Sequence, residues 1–377
     1  MNYRMNLARV LILFTLTCFP VVPQAQQQDA ELVIEAAQTA VLDHPDVESN
    51  RLQLASLYLK AGQNPGAIRT LQAWLNLHPD ATGALRLVAV AYLRSEAYSS
   101  AKAAAEKALR FGPRDSASLE VLAMAQLGLQ SAGDAERLFQ EALKLNPNSP
   151  EGNLQLGLLY SKQRANLPEA IRLLEKAHAL QPKLAGTCAA LGSAYLEAGN
   201  ARQAAASLEL AVQLDPVGAA PYYLLASAYK RLHDEQKATS ALAAFQIRKK
   251  AEAEGRAQEM RSRADYEAGV NLLSNTDQLD QAYLLLQKAA GERPVFDAAY
   301  YRMAQVSYLK GDLTHALGSI QKALTLNPLE PEYYYVLARC LQEADPHRAF
   351  AAIEKAIALR PGVPDFEDLL RELKNRR

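Results

Sequence analysis

Apolar residues recur along this chain at offsets of three, four and seven, the spacing that lines one face of a helix. Alanine marks one ladder at Ala67, Ala101, Ala135, Ala170, Ala204, Ala238, Ala282, Ala316 and Ala349. Seven residues on stand Ala108, Ala142, Ala177, Ala211, Ala289, Ala323 and Ala356. A different ladder precedes each of these. A small residue falls at Ala55, Ala89, Ala123, Gly157, Gly192, Ala226 and Ala304, directly after a larger apolar one at Leu54, Val88, Leu122, Leu156, Leu191, Leu225 and Met303. Tyrosine follows three residues later at Tyr58, Tyr92, Tyr160, Tyr195 and Tyr229. The pattern predicts two antiparallel helices per unit. Alanine lets their backbones approach, while leucine and tyrosine fill the ends of the contact.

Proline closes every unit but the sixth, at Pro45, Pro79, Pro113, Pro147, Pro182 and Pro216, then at Pro294, Pro328 and Pro361; in the sixth Lys250 stands there instead. The gaps are 34, 34, 34, 35 and 34 residues, then 78, then 34 and 33. Proline lacks an amide hydrogen and pushes its predecessor out of the helical region, so it ends the second helix. Gly62, Gly199 and Gly311 mark the hairpin between the two helices and suit a left-handed helix end. A period near 34 residues with this alternation of small residue, tyrosine, alanine and proline resembles the tetratricopeptide repeat. The resemblance covers about nine units from Glu48 to Pro361. It implies an all-α, right-handed superhelical solenoid of helix-turn-helix hairpins. It also implies that the first helix of each unit lines an inner curve where peptide ligands lie.

The long gap divides the array. Residues 46–245 form six units and residues 264–363 three, with 246–263 between them as a charged helical extension of the sixth unit's second helix. Ten surplus residues lengthen that helix by about 15 Å. Gly255 is its weak point, because mid-helix glycine costs about 1 kcal/mol relative to alanine. Arg248, Lys249, Lys250, Arg256, Arg261 and Arg263 form either a basic ligand patch or the polar face of a solvent-bridging helix; Glu252, Glu254 and Glu259 dilute the charge and favour the second reading. Trp74 and Phe245 stand where alanine recurs in other units, so a large ring must displace a neighbour there. Residues 30–45 read as an N-terminal half-repeat helix, and residues 364–377, with Phe366, Leu369, Leu370 and Leu373 on one stripe, as a capping helix.

Residues 1–25 do not share this pattern. Arg4 and Arg9 precede an apolar run from Val10 to Val22, and Pro23, Gln24 and Ala25 follow, the order of a secretory signal peptide. Thirteen residues are too few to span a bilayer as a helix, which needs about 20. Cleavage is expected near Ala25 and an exported, periplasmic or secreted location follows; retention as an anchor or lipid attachment at Cys18 are the alternatives.

Charge and candidate chemistry narrow the function by exclusion. The chain has 41 basic and 41 acidic residues, which gives no basic stripe for nucleic acid. Cys188 and Cys340 fall in different units, about 40 Å apart if stacked helices sit 8–10 Å from one another, too far for a disulfide. The register places no histidine near either, so a nucleophilic role is not expected. His44, His78, His178, His233, His315 and His347 form no metal-binding spacing, and no cofactor, metal or catalytic residue is expected.

The working surface implied by the resemblance is the inner curve. Its slots hold Leu52, Ser56 and Leu59 in the first unit, Arg86, Val90 and Leu93 in the second, and Tyr223, Ser227 and Lys230 in the sixth. The later units place Glu267, Asn271 and Ser274, then Tyr301, Gln305 and Tyr308, then Tyr335, Arg339 and Gln342 there. Tyr223, Ser227, Lys230, Asn271, Tyr301, Gln305, Tyr308, Tyr335 and Arg339 are the candidate partner-binding residues. For Tyr301, Tyr308 and Tyr335 the alternative is burial against the next unit or the final helix. The lysines and asparagines with which chaperone-binding members grip a terminal carboxylate are missing. The expected function is a non-enzymatic scaffold that binds protein or peptide segments and organises an envelope or secreted assembly. The alternative is an accessory subunit of a periplasmic enzyme or polysaccharide-export machine.

Overall fold

The computed structural model describes residues 24–163 and 166–375, which are helices joined by turns, with no strand among the described residues. The expected export signal over 1–25 lies outside them apart from its last two residues. Helix α1 (Gln24–Asp43) comes first. Hairpins follow: α2 (Glu48–Lys60) with α3 (Asn64–Leu75), α4 (Thr82–Arg94) with α5 (Tyr98–Phe111), α6 (Ser116–Gly128) with α7 (Ala132–Leu145), α8 (Pro150–Gln163) with α9 (Leu167–Leu180), and α10 (Ala185–Glu197) with α11 (Ala201–Leu214). Then come α12 (Ala220–Arg231), α13 (Glu235–Asn271), α14 (Leu279–Glu292), α15 (Asp297–Leu309), α16 (Leu313–Leu326), α17 (Pro331–Leu341), α18 (Pro346–Leu359) and α19 (Pro364–Asn375). The fold is an all-α repeat solenoid.

Apart from α3, which ends four residues before Pro79, and α13, which has no closing proline, each second helix stops two residues before its proline. The residue ahead of proline takes a ψ between 78° at Gln181 and 92° at Asp215 and Arg360, or −177° at Gly112, away from the helical region. Its N–H still reaches back to the carbonyl of the recurrent alanine, from Gly112 to Ala108, Asn146 to Ala142, Gln181 to Ala177, and so on through Arg360 to Ala356, at 2.8–3.1 Å. The alanine thus serves the seam with its methyl and the helix end with its carbonyl.

The hairpin turn between paired helices has positive φ at one fixed place: 73° at Gly62, 82° at Gly199 and 77° at Gly311. Three units without glycine adopt the same turn through Glu96, Gln130 and His233, at 57°, 66° and 60°. A side chain there is strained, by roughly 1–2 kcal/mol, so packing of the two helices sets the turn and glycine only eases it.

Two compact bodies result, the first including Arg51–Glu252 and the second Ala253–Arg377 together with Glu35–Asn50. In the first, tyrosine does more than fill space. Gln72 Nε2 donates to Tyr92 Oη at 2.6 Å, Gln140 Nε2 to Tyr160 Oη at 2.9 Å, Tyr195 Oη to Glu175 Oε1 at 2.6 Å, and Tyr229 Oη to Glu209. Every one of these pairs is 20 residues apart, so α4, α8, α10 and α12 are each tied to the preceding second helix at the same point. Arg94 and Arg231 add a second tie, each donating to the carbonyl near the end of the preceding first helix, at Leu59 and Leu196.

Burial, and the negative acceptors Glu175 and Glu209, push Tyr195 and Tyr229 from 10.0 up to about 12. An unfolded tyrosine ionises near pH 10. The stabilisation from these two protons is therefore complete below pH 10 and lost as pH rises through about 12. Thermal melts between pH 9 and pH 12 are expected to show a falling midpoint, with a smaller fall in a Tyr195→Phe/Tyr229→Phe variant that starts about 1 kcal/mol less stable per bond. Parallel curves would rule the effect out.

Helix α13 carries the charged extension straight into the following unit. No turn separates the charged extension from the first helix of the following unit; residues 235–271 are one helix of 37 residues. The segment has no proline, and Gly255 has open space around it, so nothing breaks the helix. Its charges are engaged locally. Arg248 donates to Pro216 O and lies 4.0 Å over the Tyr222 ring, and Glu252 Oε1 accepts the Ala219 N–H at 2.9 Å. In the second body Gln258 Nε2 donates to Glu292 O at 2.7 Å, Ser262 Oγ to Ala289 O at 2.9 Å, and Arg263 pairs with Glu267 at 2.8 Å. Trp74 keeps its place in the alanine slot by stacking on His78 at 3.9 Å beneath the guanidinium of Arg51 at 5.4 Å.

Candidate functional site

Within each body successive first helices touch one another: α4 and α6, α6 and α8, α8 and α10, α10 and α12, and, in the second body, α15 and α17. The row that is closest together lies on the inside of the bend, so first-helix side chains line the inner face. The seam behind them requires small residues. An added Cβ at Gly157 would meet Leu174 Cγ at 2.8 Å, and at Gly192 it would meet Leu208 Cγ at 2.5 Å.

That same contact fixes the register of the seventh unit. A Cβ at Gly269 would meet Leu286 Cγ at 2.9 Å, so Gly269 is the small residue of the unit. Counting back from Pro294 falls one residue late, because the 3-10 turns Leu272–Ser274 and Thr276–Gln278 lengthen this hairpin. The inner slots are therefore Tyr266, Val270 and Leu273. Asn271 is exposed at the last position of α13, and Glu267 is turned to solvent with Arg263.

In the first body, Tyr223 is 49% exposed with its ring 5.3 Å from Phe245. Ser227 Oγ donates to the Tyr223 carbonyl at 3.1 Å, which points its hydroxyl along its own helix, and Lys230 is exposed.

The second body brings its predicted residues other than Asn271 together, with Tyr301, Tyr308 and Tyr335 packed against one core cluster. Tyr301 stacks on Tyr333 at 4.8 Å, and its Oη accepts from Gln305 Nε2 at 2.8 Å, while Gln305 Oε1 accepts from Arg302 Nη1 at 2.7 Å. Arg339 Nε donates to Tyr308 Oη at 3.2 Å. Tyr335 packs on Phe366 of α19 at 5.4 Å, and Tyr266 packs on Phe296 at 4.7 Å. Tyr266, Tyr301 and Tyr335 thus repeat one slot, each half-buried and each packed on an aromatic ring, Phe296 directly ahead of α15, Tyr333 of α17 and Phe366 of α19. Burial raises the Tyr301 and Tyr335 hydroxyl pKa values, keeping both neutral donors. Packing against the neighbour and an accessible face coexist in the same side chains.

Among the described residues no group of three or more histidine, cysteine or acidic side chains could hold a metal ion. Cys188, however, does have a histidine beside it: His178 Nδ1 is 3.6 Å from its Sγ. The last turn of α9 brings His178 back over the start of α10, a proximity that counting units does not reveal. Cys188 is buried and free, and burial raises its thiol pKa, the opposite of what a nucleophile requires. Cys340 is likewise buried and free.

Residues 52–116, 121–185 and 185–217 match models of the tetratricopeptide repeat. A crystal structure of YrrB, a TPR protein with an unusual peptide-binding site, is 23% identical over 50% of this chain and 96% of that chain, with a TM-score of 0.35. MamA from Desulfovibrio magneticus RS-1 is 22% identical over 45% of this chain and 96% of that one, with a TM-score of 0.40. Human IFIT1, as a dimer with PPP-AAAA, is 15% identical over 74% of this chain and 73% of that one, with a TM-score of 0.46. No curated protein matches the sequence.

Proposed function

The chain is a tetratricopeptide-repeat protein, and on that premise we propose that it is a non-enzymatic scaffold whose inner row of first helices holds a segment of a protein partner in an exported assembly. The observation that carries this reading is the group Tyr301, Gln305, Tyr308, Tyr335 and Arg339. Its members are fixed by hydrogen bonds and ring contacts before any ligand arrives, yet each keeps accessible surface. Tyrosine held this way offers a broad apolar face and a polar tip at low entropic cost. The exported location rests on the order of charged, apolar and small residues over 1–25. No helix of the described residues is long and apolar enough to cross a membrane.

The test is photocrosslinking in cells from position 301 or 335, with Lys176 on the second helix α9 as the control, followed by fractionation. One partner recovered from the inner positions alone, in the envelope or secreted fraction, is the expected result. Equal labelling from all three positions would refute an inner-face site, and recovery in the cytoplasm would refute export.

A further inference from the structure

The inner face of the first body is mostly apolar, and its one acidic step stands out. Glu120 on α6 and Glu151 in the first turn of α8 occupy inner positions of adjacent units. Glu120 is only 7% exposed, and its Oε1 has no hydrogen-bond donor although Ser149 is a partner of the same carboxyl. Gly152 leaves room for it, since a Cβ there would lie 3.0 Å from that Oε1. Glu151 is half-buried and accepts from Gln155 Nε2 at 2.8 Å.

The positive charge near this pair is insufficient. Arg94 acts on Glu151, but its Nη1 is committed to the Leu59 carbonyl and its Nε has no partner. Arg86 is engaged by Asp115 at 3.5 Å. Burial raises the pKa of both Glu120 and Glu151, and the charges of Glu151 and Asp115 add to the effect on Glu120. Two carboxylates facing one committed guanidinium leave a site short of one cation. Val90 and Met124, inner-slot residues of the two preceding units, are half-buried and suit the methylenes of a long side chain.

The geometry points to a lysine or arginine side chain of the bound segment as the missing cation, its charged head on Glu151 with Glu120 behind. This rests on the inner-face reading above and adds the chemistry of one contact. It assigns the first body a partner segment carrying a basic residue flanked by uncharged ones.

The test uses the full chain and two fluorescein-labelled decapeptide pools of random uncharged residues, one with a fixed central lysine and one with a fixed central norleucine, read by fluorescence anisotropy. The lysine pool is expected to bind at least about tenfold more tightly, the worth of a charge-assisted contact at a partly desolvated site. Glu151→Gln is expected to abolish that preference, and Glu120→Gln to reduce it. Thermal melts establish that both variants fold, and Glu120→Gln, which removes a buried charge, is expected to melt no lower than the parent. Equal binding of the two pools overturns the inference and leaves the inner-face site standing. Binding of neither pool overturns both. A lysine preference unchanged in Glu151→Gln places the contact elsewhere and also overturns it.

Discussion

Phe139→Ala is expected to remove about 3–5 kcal/mol of stability, the range for emptying a fully buried aromatic site. Phe139 is 0% exposed on α7, and Ala135, Leu138 and Ala142 are buried on the same face of that helix. The size of the loss depends on whether the site can collapse, and local ties oppose collapse. Gln140 on the same helix is bonded to Tyr160 of the next unit, and Glu141 pairs with Arg114 through both guanidinium positions. The helix cannot settle inward without breaking these, so the cavity persists. Urea unfolding followed by circular dichroism should show the full loss, whereas Phe111→Ala, at a ring 50% exposed, should cost less than about 1 kcal/mol. Equal small losses at both positions would mean that the seam is loosely packed.

The seam was legible in the sequence because its chemistry is repeated. Proline and alanine share a period, and the helices end where those residues require. What escaped the sequence depends on side chains reaching between units. Gln72, Gln140, Glu175 and Glu209 look like ordinary surface residues of a second helix, yet their constant distance of 20 residues from a tyrosine was a signal available to find them. The turns at Glu96, Gln130 and His233 carried no glycine to announce them. At the candidate site, Tyr301, Gln305 and Tyr308 fall where the standard hairpin length puts them, and Tyr335 and Arg339 follow the buried Tyr334, which marks the register of a ninth unit whose hairpin is one residue short. The seventh unit has no such marker, and a one-residue surplus in its hairpin exchanged Asn271 for Val270 in the inner row. The neighbours Cys188 and His178 escaped for a related reason, since a contact between the end of one helix and the start of the next depends on turn geometry.

The tightness of that seam gives one substitution opposite signs at two positions. Glycine to alanine inside a helix ordinarily gains about 1 kcal/mol. At Gly255 a new Cβ has nothing within 4 Å, and the full gain is expected. At Gly192 the Cβ would lie 2.5 Å from Leu208 Cγ and 2.9 Å from its Cδ2. Leu208 is 0% exposed and has no free space into which to turn. Overpacking of this kind costs about 1–3 kcal/mol, more than the helical gain, so Gly192→Ala is expected to destabilise the protein. Trimming the obstacle should relieve it: Leu208→Ala should cost less in the Gly192→Ala background than in the parent, because the new methyl enters the space vacated. Denaturant titrations of the four proteins of this cycle measure that coupling directly. Additive losses would show that α10 and α11 are not in contact through Gly192, and the glycine would then be a matter of helix propensity alone.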